Sequence, residues 1–195
     1  CSHKTMPGPM AALASDPELQ VDGYLCPAHV SAIIGARAYK PLVDSYQVPC
    51  VITGFEPLDV LQGVLMLTRQ VATGHPQVEN QYRRVVKDEG NRKAQTLLNQ
   101  VFQACDARWR GIGDNPDSGL ALRPEYALFD AAQRLPVEIE PALEPRGCLC
   151  GEILKGKALP NDCPLFASTC SPESPVGACM VSSEGTCAAE YKYGI

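Results

Sequence analysis

The sequence predicts an α/β fold: part of a doubly wound parallel-sheet domain, followed by helices and then by a small irregular domain rich in cysteine. Three observations predict it. Short apolar runs of strand length at Val21–Leu25 and Val48–Thr53 alternate with helical stretches, which implies parallel pairing. Apolar residues then recur at three- and four-residue spacing, the mark of helices with one buried stripe. Finally, six of the ten cysteines lie between Cys148 and Cys187, in a stretch with little apolar periodicity.

The elements follow in order. Pro9–Ala14 reads as a short helix ahead of the first strand, Val21–Leu25, which breaks at Cys26-Pro27-Ala28-His29. The second strand, Val48–Thr53, is rich in β-branched residues and breaks at Gly54-Phe55-Glu56-Pro57. Pro57 suits the first turn of a helix, and Glu56 and Asp59 place negative charge at its positive end. That helix, Leu58–Val71, is apolar on most sides, as for one packed on a sheet and covered elsewhere. Ala94, Leu97, Leu98, Val101, Phe102 and Cys105 form one helical stripe, which Tyr82, Val85 and Val86 begin upstream, with Gly90-Asn91 between two helices. Arg83, Arg84, Lys87, Arg92 and Lys93, interleaved with Asp88 and Glu89, read as a solvated helix face in preference to an anion site.

From Trp109 onward the pattern dissolves into Gly, Pro and short apolar pieces, and Pro136, Pro141 and Pro145 read as a hinge into the tail. The expected division is residues 1–110 as an α/β domain with C-terminal helices, 111–140 as an irregular linker, and 141–195 as a cysteine-rich domain. The 195-residue chain is 45% apolar and 20% charged, so it buries a core and is not a disordered tail. Its formal net charge of −5 offers no basic footprint for nucleic acid. The longest apolar run, Val60–Leu67, is broken by Gln62 and Gly63 and is too short to span a membrane. The chain opens at Cys1 without a signal-peptide pattern, which suggests a piece of something longer and, by default, the cytoplasm. Thiols stay reduced there, so clustered cysteines are read first as metal ligands or redox groups.

The tail cysteines are Cys148, Cys150, Cys163, Cys170, Cys179 and Cys187. No pair has the Cys-x-x-Cys spacing of a zinc knuckle or thioredoxin motif, which disfavours a zinc ribbon. Iron–sulfur clusters tolerate scattered thiolates. One cluster plus a neighbouring dithiol is a natural partition of six thiols, although composition alone does not say which four bind. Buried free thiols are the alternative. In the α/β part, His29 and Glu56 follow strands, and at the carboxyl edge of a parallel sheet ligands bind. His3-Lys4 is expected to follow a further strand upstream. His, Lys and Glu converging at such an edge suit anion binding, a proton relay or contact with a metal centre; a structural hydrogen-bonding role for His29 is the plainer alternative.

The runs Cys148-Leu149-Cys150-Gly151-Glu152-Ile153-Leu154, Cys163-Pro164-Leu165-Phe166 and Cys170 through Cys187 resemble the C-terminal domain of the HypD family, the hydrogenase formation proteins. Gly54-Phe55-Glu56-Pro57-Leu58-Asp59, Asn80-Gln81-Tyr82, Gly90-Asn91, Trp109-Arg110-Gly111-Ile112-Gly113, Ser118-Gly119-Leu120 and Phe129-Asp130-Ala131 extend the resemblance over essentially the whole chain. The resemblance implies a cluster signature, Cys-x14-Cys-x6-Cys-x16-Cys, that falls on Cys148, Cys163, Cys170 and Cys187 as [4Fe–4S] ligands. It implies that Cys150 and Cys179 match positions able to form a disulfide beside the cluster, with buried packing thiols as the alternative for this pair. It also implies that His29, Glu56 and Glu184 lie near an iron-assembly cleft. The family's Pro-Gly-His-Val loop here reads Pro27-Ala28-His29-Val30, and a side chain is strained wherever Gly would take positive φ. Cys50 and Cys105 are most simply core thiols, and Cys1 and Cys26 match no family motif.

What the resemblance implies for function is an accessory assembly protein. Such proteins work with the chaperone HypC and the cyanide-delivering HypE to build the Fe(CN)2CO group of [NiFe]-hydrogenase. The family's N-terminal Cys-Gly-Thr-His and Gly-Pro-Gly-Cys-Pro-Val-Cys motifs do not occur here, so the expectation is a C-terminal half without the iron–cyanide site. Its cluster and dithiol would supply electrons to the assembly cleft. An iron–sulfur thiol–disulfide reductase and a structural module stapled by metal are the two other classes.

Overall fold

A computed structural model of the chain describes residues 3–135, 137–138 and 145–194. The elements are β1 (His3–Lys4), α1 (Pro7–Ala14), β2 (Tyr24–Pro27), α2 (Ala28–Ile34), α3 (Lys40–Tyr46), β3 (Cys50–Thr53), α4 (Pro57–Thr73) and β4 (Val78–Asn80). They continue with α5 (Arg92–Val101), β5 (Phe102–Trp109), β6 (Gly113–Leu122), α6 (Ala131–Arg134), α7 (Cys150–Leu154), α8 (Ala178–Val181) and α9 (Thr186–Tyr193). Short 3-10 turns occur at Ala36–Tyr39, Pro124–Phe129 and Pro160–Asp162.

The predicted α/β class holds. Strands β2, β3 and β4 form a parallel sheet in that order, with Tyr24 opposite Cys50 and Cys50 opposite Val78. Strand β3 is buried at all four positions because both faces are covered, which is why its sequence is a continuous apolar run. Cys50 and Ile52 share a core with Cys26, Met10, Tyr39, Leu42 and Val86. Thr53 and Leu25 point to the other face, against α4. A Cβ on Gly63 would lie 2.7 Å from Thr53 Cγ2, so glycine is what lets this helix approach the sheet. Pro57 opens α4 as expected, and Gly74 closes it in the left-handed region at φ +65°.

Five expectations need correction. Helix α4 seats Asp59, Gly63 and Gln70 inward, while Leu58 and Leu61 are each 66% exposed and Leu65 is 50% exposed; its outer apolar face is not covered by the described residues. The apolar stripe ends as a helix at Val101: Phe102 and Cys105 belong to strand β5, which pairs antiparallel with β6. The pairing of Phe102 with Leu122 and Cys105 with Gly119 supplies partners that the local spacing does not reveal. Tyr82, Val85 and Val86 lie in turns and not in a helix, and the segment expected to be irregular after Trp109 contains β6. His3-Lys4 is itself strand β1, antiparallel to β6, in a second sheet ordered β1-β6-β5.

Ala28 is unstrained, because it opens α2 behind Pro27 and is not among the residues with positive φ. Cys26 and Cys50 are fully buried, and Cys105 is half-buried. Cys1, Pro136 and Pro141 lie outside the described residues; the Pro145 carbonyl accepts the Cys148 N–H at 3.2 Å. A second core gathers Cys150, Ile153, Cys163, Cys170, Cys179, Met180, Cys187 and Ala188. It is tied to the loop after α1 by Gln20 N–H to the Lys155 carbonyl (2.8 Å), Lys155 with Asp16 (2.7 Å) and Lys157 with Glu18 (2.9 Å). Among the described residues no helix is long and apolar enough to cross a membrane.

Candidate metal centre

Five short elements bring the six tail cysteines together. Cys148 precedes α7, Cys150 opens it, Cys163 follows the 3-10 turn at Pro160–Asp162, Cys170 pairs with Phe166 in an isolated bridge, Cys179 lies in α8 and Cys187 in α9. All are buried except Cys148, which is half-buried. Cys150 Sγ and Cys179 Sγ lie 2.7 Å apart. Val176 N–H donates to Cys170 Sγ at 3.3 Å. A Cβ on Gly177 would lie 2.6 Å from Cys148 Sγ, so that sulfur occupies space only glycine leaves open.

The thiols act on one another electrically. Burial pushes the Cys187 thiol up to about 11, and the nearby Cys150, Cys163, Cys170 and Cys148 add to the shift. Burial, followed by Cys150, Cys163 and Cys170, also raises Cys148. Cys179 is raised first by its hydrogen bond with Cys150 and then by burial. A cation placed among thiols favours their thiolates, and metal binding to thiols releases protons.

Among the described residues no three His, Cys, Asp or Glu side chains converge on a point that suits one metal ion. A single zinc draws every sulfur to about 2.3 Å of one centre, whereas a four-iron cluster spreads its thiolates over separate irons. Four thiols in and against one small core are a donor set of the number that a four-iron cluster or a tetrahedral ion takes.

The parallel sheet builds the second candidate region. His29 lies in the first turn of α2, immediately after β2, and stacks on Phe55 with ring centroids 5.3 Å apart at 29°. Glu56 follows β3 and occupies the N-cap position of α4, so His29 and Glu56 share the carboxyl edge of the sheet. Glu56 receives Arg84 at 3.1 Å and the Tyr82 hydroxyl at 3.4 Å. Arg84 also grips Asp59 through both nitrogens, at 3.0 and 2.6 Å, and lies over the Tyr82 ring at 3.8 Å. Gln81 adds a bond to Asp59 at 2.7 Å. The Arg84 guanidinium, with Glu56 and Gln81, holds the Asp59 carboxyl well below the usual carboxylate range. Gly54 has no room for a side chain, because a Cβ would overlap the Tyr82 ring and the Asp59 carboxylate.

Arg84 is thus no solvated helix charge; it ties the Asn80-Gln81-Tyr82 turn to the first turn of α4. Sequence reasoning missed Asp59, Gln81, Tyr82 and Arg84 as a unit, although Asn80-Gln81-Tyr82 with an arginine two residues on was the visible signal. Glu184 lies elsewhere, exposed on the turn after α8, where the Ser182 hydroxyl accepts its N–H at 3.2 Å. That turn packs Gly185 against the Cys179 backbone.

The HypD family model, described as "Hydrogenase formation hypA family", matches residues 1–194. The hydrogenase maturation factor HypD of Azotobacter vinelandii is 48% identical over 200 residues, covering 100% of this chain and 53% of the relative. The protein of the same name from Escherichia coli (strain K12) is 47% identical over 195 residues, covering 99% and 52%. A putative hydrogenase expression/formation protein of Methanocaldococcus jannaschii is 44% identical over 192 residues, covering 98% and 53%. The chain spans about half the length of these relatives. A match this long, over both the parallel sheet and the cysteine core, places the chain in the HypD family of hydrogenase formation proteins.

Proposed function

We propose that this chain is the cluster-bearing, electron-handling part of a hydrogenase maturation scaffold. The observation that carries the reading is the Cys150–Cys179 sulfur pair at 2.7 Å, set inside the same core as four further thiols. Cys148, Cys163, Cys170 and Cys187 would hold a [4Fe–4S] cluster, which when bound supplies one-electron transfer. Cys150 and Cys179 would store two electrons: opening their S–S bond to two thiols takes up two electrons and two protons. Buried sulfurs with an N–H donor at Cys170 suit a redox centre, because hydrogen bonds to sulfur and exclusion of water set its potential.

The sheet edge would serve the assembly itself. His29, on the Phe55 ring, and Glu56, held by Arg84 and Tyr82, present a base and a carboxylate from adjacent parallel strands. Glu184, exposed on the turn after α8, would serve the same assembly from the cysteine-rich part and not from the sheet edge. The cargo in the complete scaffold is the Fe(CN)2CO group, with HypC and HypE as partners and the cytoplasm as the place of work. The cysteine-rich domain, from about residue 141, would carry the electrons and the α/β part the docking.

Anaerobically prepared protein is expected to contain about four irons and four sulfides per chain, with broad visible absorption. Cys163→Ala or Cys170→Ala should abolish that absorption. A colourless protein that holds a single zinc after anaerobic reconstitution with iron and sulfide would overturn the assignment.

A further inference from the structure

The segment Trp109-Arg110-Gly111-Ile112-Gly113 has no role in the reading above, yet it is built with care. It forms the turn between β5 and β6. Trp109 Nε1 donates to the Ser118 hydroxyl at 2.8 Å, and that fully buried hydroxyl donates to the Asn115 carbonyl at 2.7 Å. Asn115 Nδ2 in turn donates to the Gly113 carbonyl at 3.2 Å. Gly111 and Gly113 take φ of +86° and +75°, a region L side chains rarely enter.

This turn sits on the first turn of α7. A Cβ on Gly151 would lie 2.6 Å from the Gly111 carbonyl oxygen. A Cβ on Gly111 would lie 3.2 Å from Leu154 Cδ1 and 3.5 Å from Cys150 Sγ. The two segments therefore meet backbone to backbone, directly over the Cys150 sulfur. Cys150 and Cys179 are each only 6% exposed.

We propose that the Gly111 turn is a positioning element for the Cys150–Cys179 pair. Its glycine-on-glycine seat fixes the start of α7 and screens the Cys150 sulfur, so that small thiols in solution reach the pair only when the seat opens. The inference rests on the pair being redox-active, but its structural content is tested separately.

The experiment uses the full 195-residue chain with its cluster reconstituted anaerobically and the pair reduced. Iodoacetamide labelling of each cysteine is followed by mass spectrometry. Gly151→Ala crowds the seat, and Ser118→Ala loosens the turn without adding bulk. Both are expected to speed labelling of Cys150 by about tenfold or more, as for a local opening made easier, with the visible absorption of the cluster retained. Gly8→Ala, at an α1 position with open space around it, should leave the rate unchanged. Wild-type rates in both seat variants would overturn the proposal. So would equal acceleration at all six tail cysteines with loss of the absorption, which would make the turn a general fold element. If the wild-type pair forms no reversible disulfide in a glutathione buffer, the redox reading fails, while the labelling rates still decide the seat.

Discussion

Gly63→Ala tests how closely α4 rides on the sheet. Taken alone as a helix substitution, alanine for glycine should stabilise by about 1 kcal/mol. The new Cβ, however, would lie 2.7 Å from Thr53 Cγ2, 3.0 Å from Thr53 Cβ and 3.4 Å from Leu25 Cδ2. Thr53 belongs to a strand with all four residues buried, so it yields only by shifting β3 or the helix. Overpacking of that kind costs about 1–3 kcal/mol. The net expectation is a loss of roughly 0–2 kcal/mol, from helix gain against overlap. Thr53→Ser removes the nearest methyl and keeps the hydroxyl that bonds the Gly54 carbonyl. In that background Gly63→Ala should cost at least about 1 kcal/mol less, a coupling within the usual range for touching residues. Urea unfolding of the four proteins, followed by circular dichroism, closes the cycle. The reasoning is refuted if Gly63→Ala stabilises the wild type by the full helix gain, or if the two substitutions are additive.

Three further outcomes follow from the same geometry. Asp59 has a carboxyl depressed chiefly by Arg84, so its contribution is complete above the ordinary aspartate pKa of about 3.9 and is lost as pH falls through the lower folded value. Asp59→Asn should therefore flatten the acid limb of a stability–pH curve below about pH 4, and an unchanged limb would remove Asp59 as its source. Leu42→Ala, at a side chain only 1% exposed, should cost about 2–5 kcal/mol in denaturant unfolding, whereas Leu61→Glu on the outer face of α4 should stay within about 0.5 kcal/mol. Asp16→Asn should speed amide exchange at Gln20, whose N–H is held by the Lys155 carbonyl beside the Asp16–Lys155 pair; unchanged exchange would show that the ion pair does not secure that join.

Much of the parallel sheet was legible because its signals are local. The run Val48–Thr53, rich in β-branched residues, and the proline at the start of α4 act within a few residues of themselves. The antiparallel sheet was not legible, because β5 is a strand only through β6 and β1: Phe102 meets Leu122, and His3 meets Leu120. Its first residues also continue the spacing of the α5 stripe, so local periodicity pointed to the wrong element. In the candidate site, Arg84 read as one charge among several. Its bidentate hold on Asp59 spans 25 residues and depends on α4 and the Asn80-Gln81-Tyr82 turn meeting at the sheet edge.

Residue order alone carries the chemical inventory: six clustered thiols, the intervals between them, and enough resemblance to assign the family. Which groups become neighbours follows from the packing of distant segments. Cys150 and Cys179 are 29 residues apart in the chain and 2.7 Å apart in space, and Gly111 reaches Cys150 from the β5–β6 hairpin of the antiparallel sheet. Chain chemistry acts over one or two turns, whereas these contacts form when burial of separate apolar faces offsets the entropy of closing long loops.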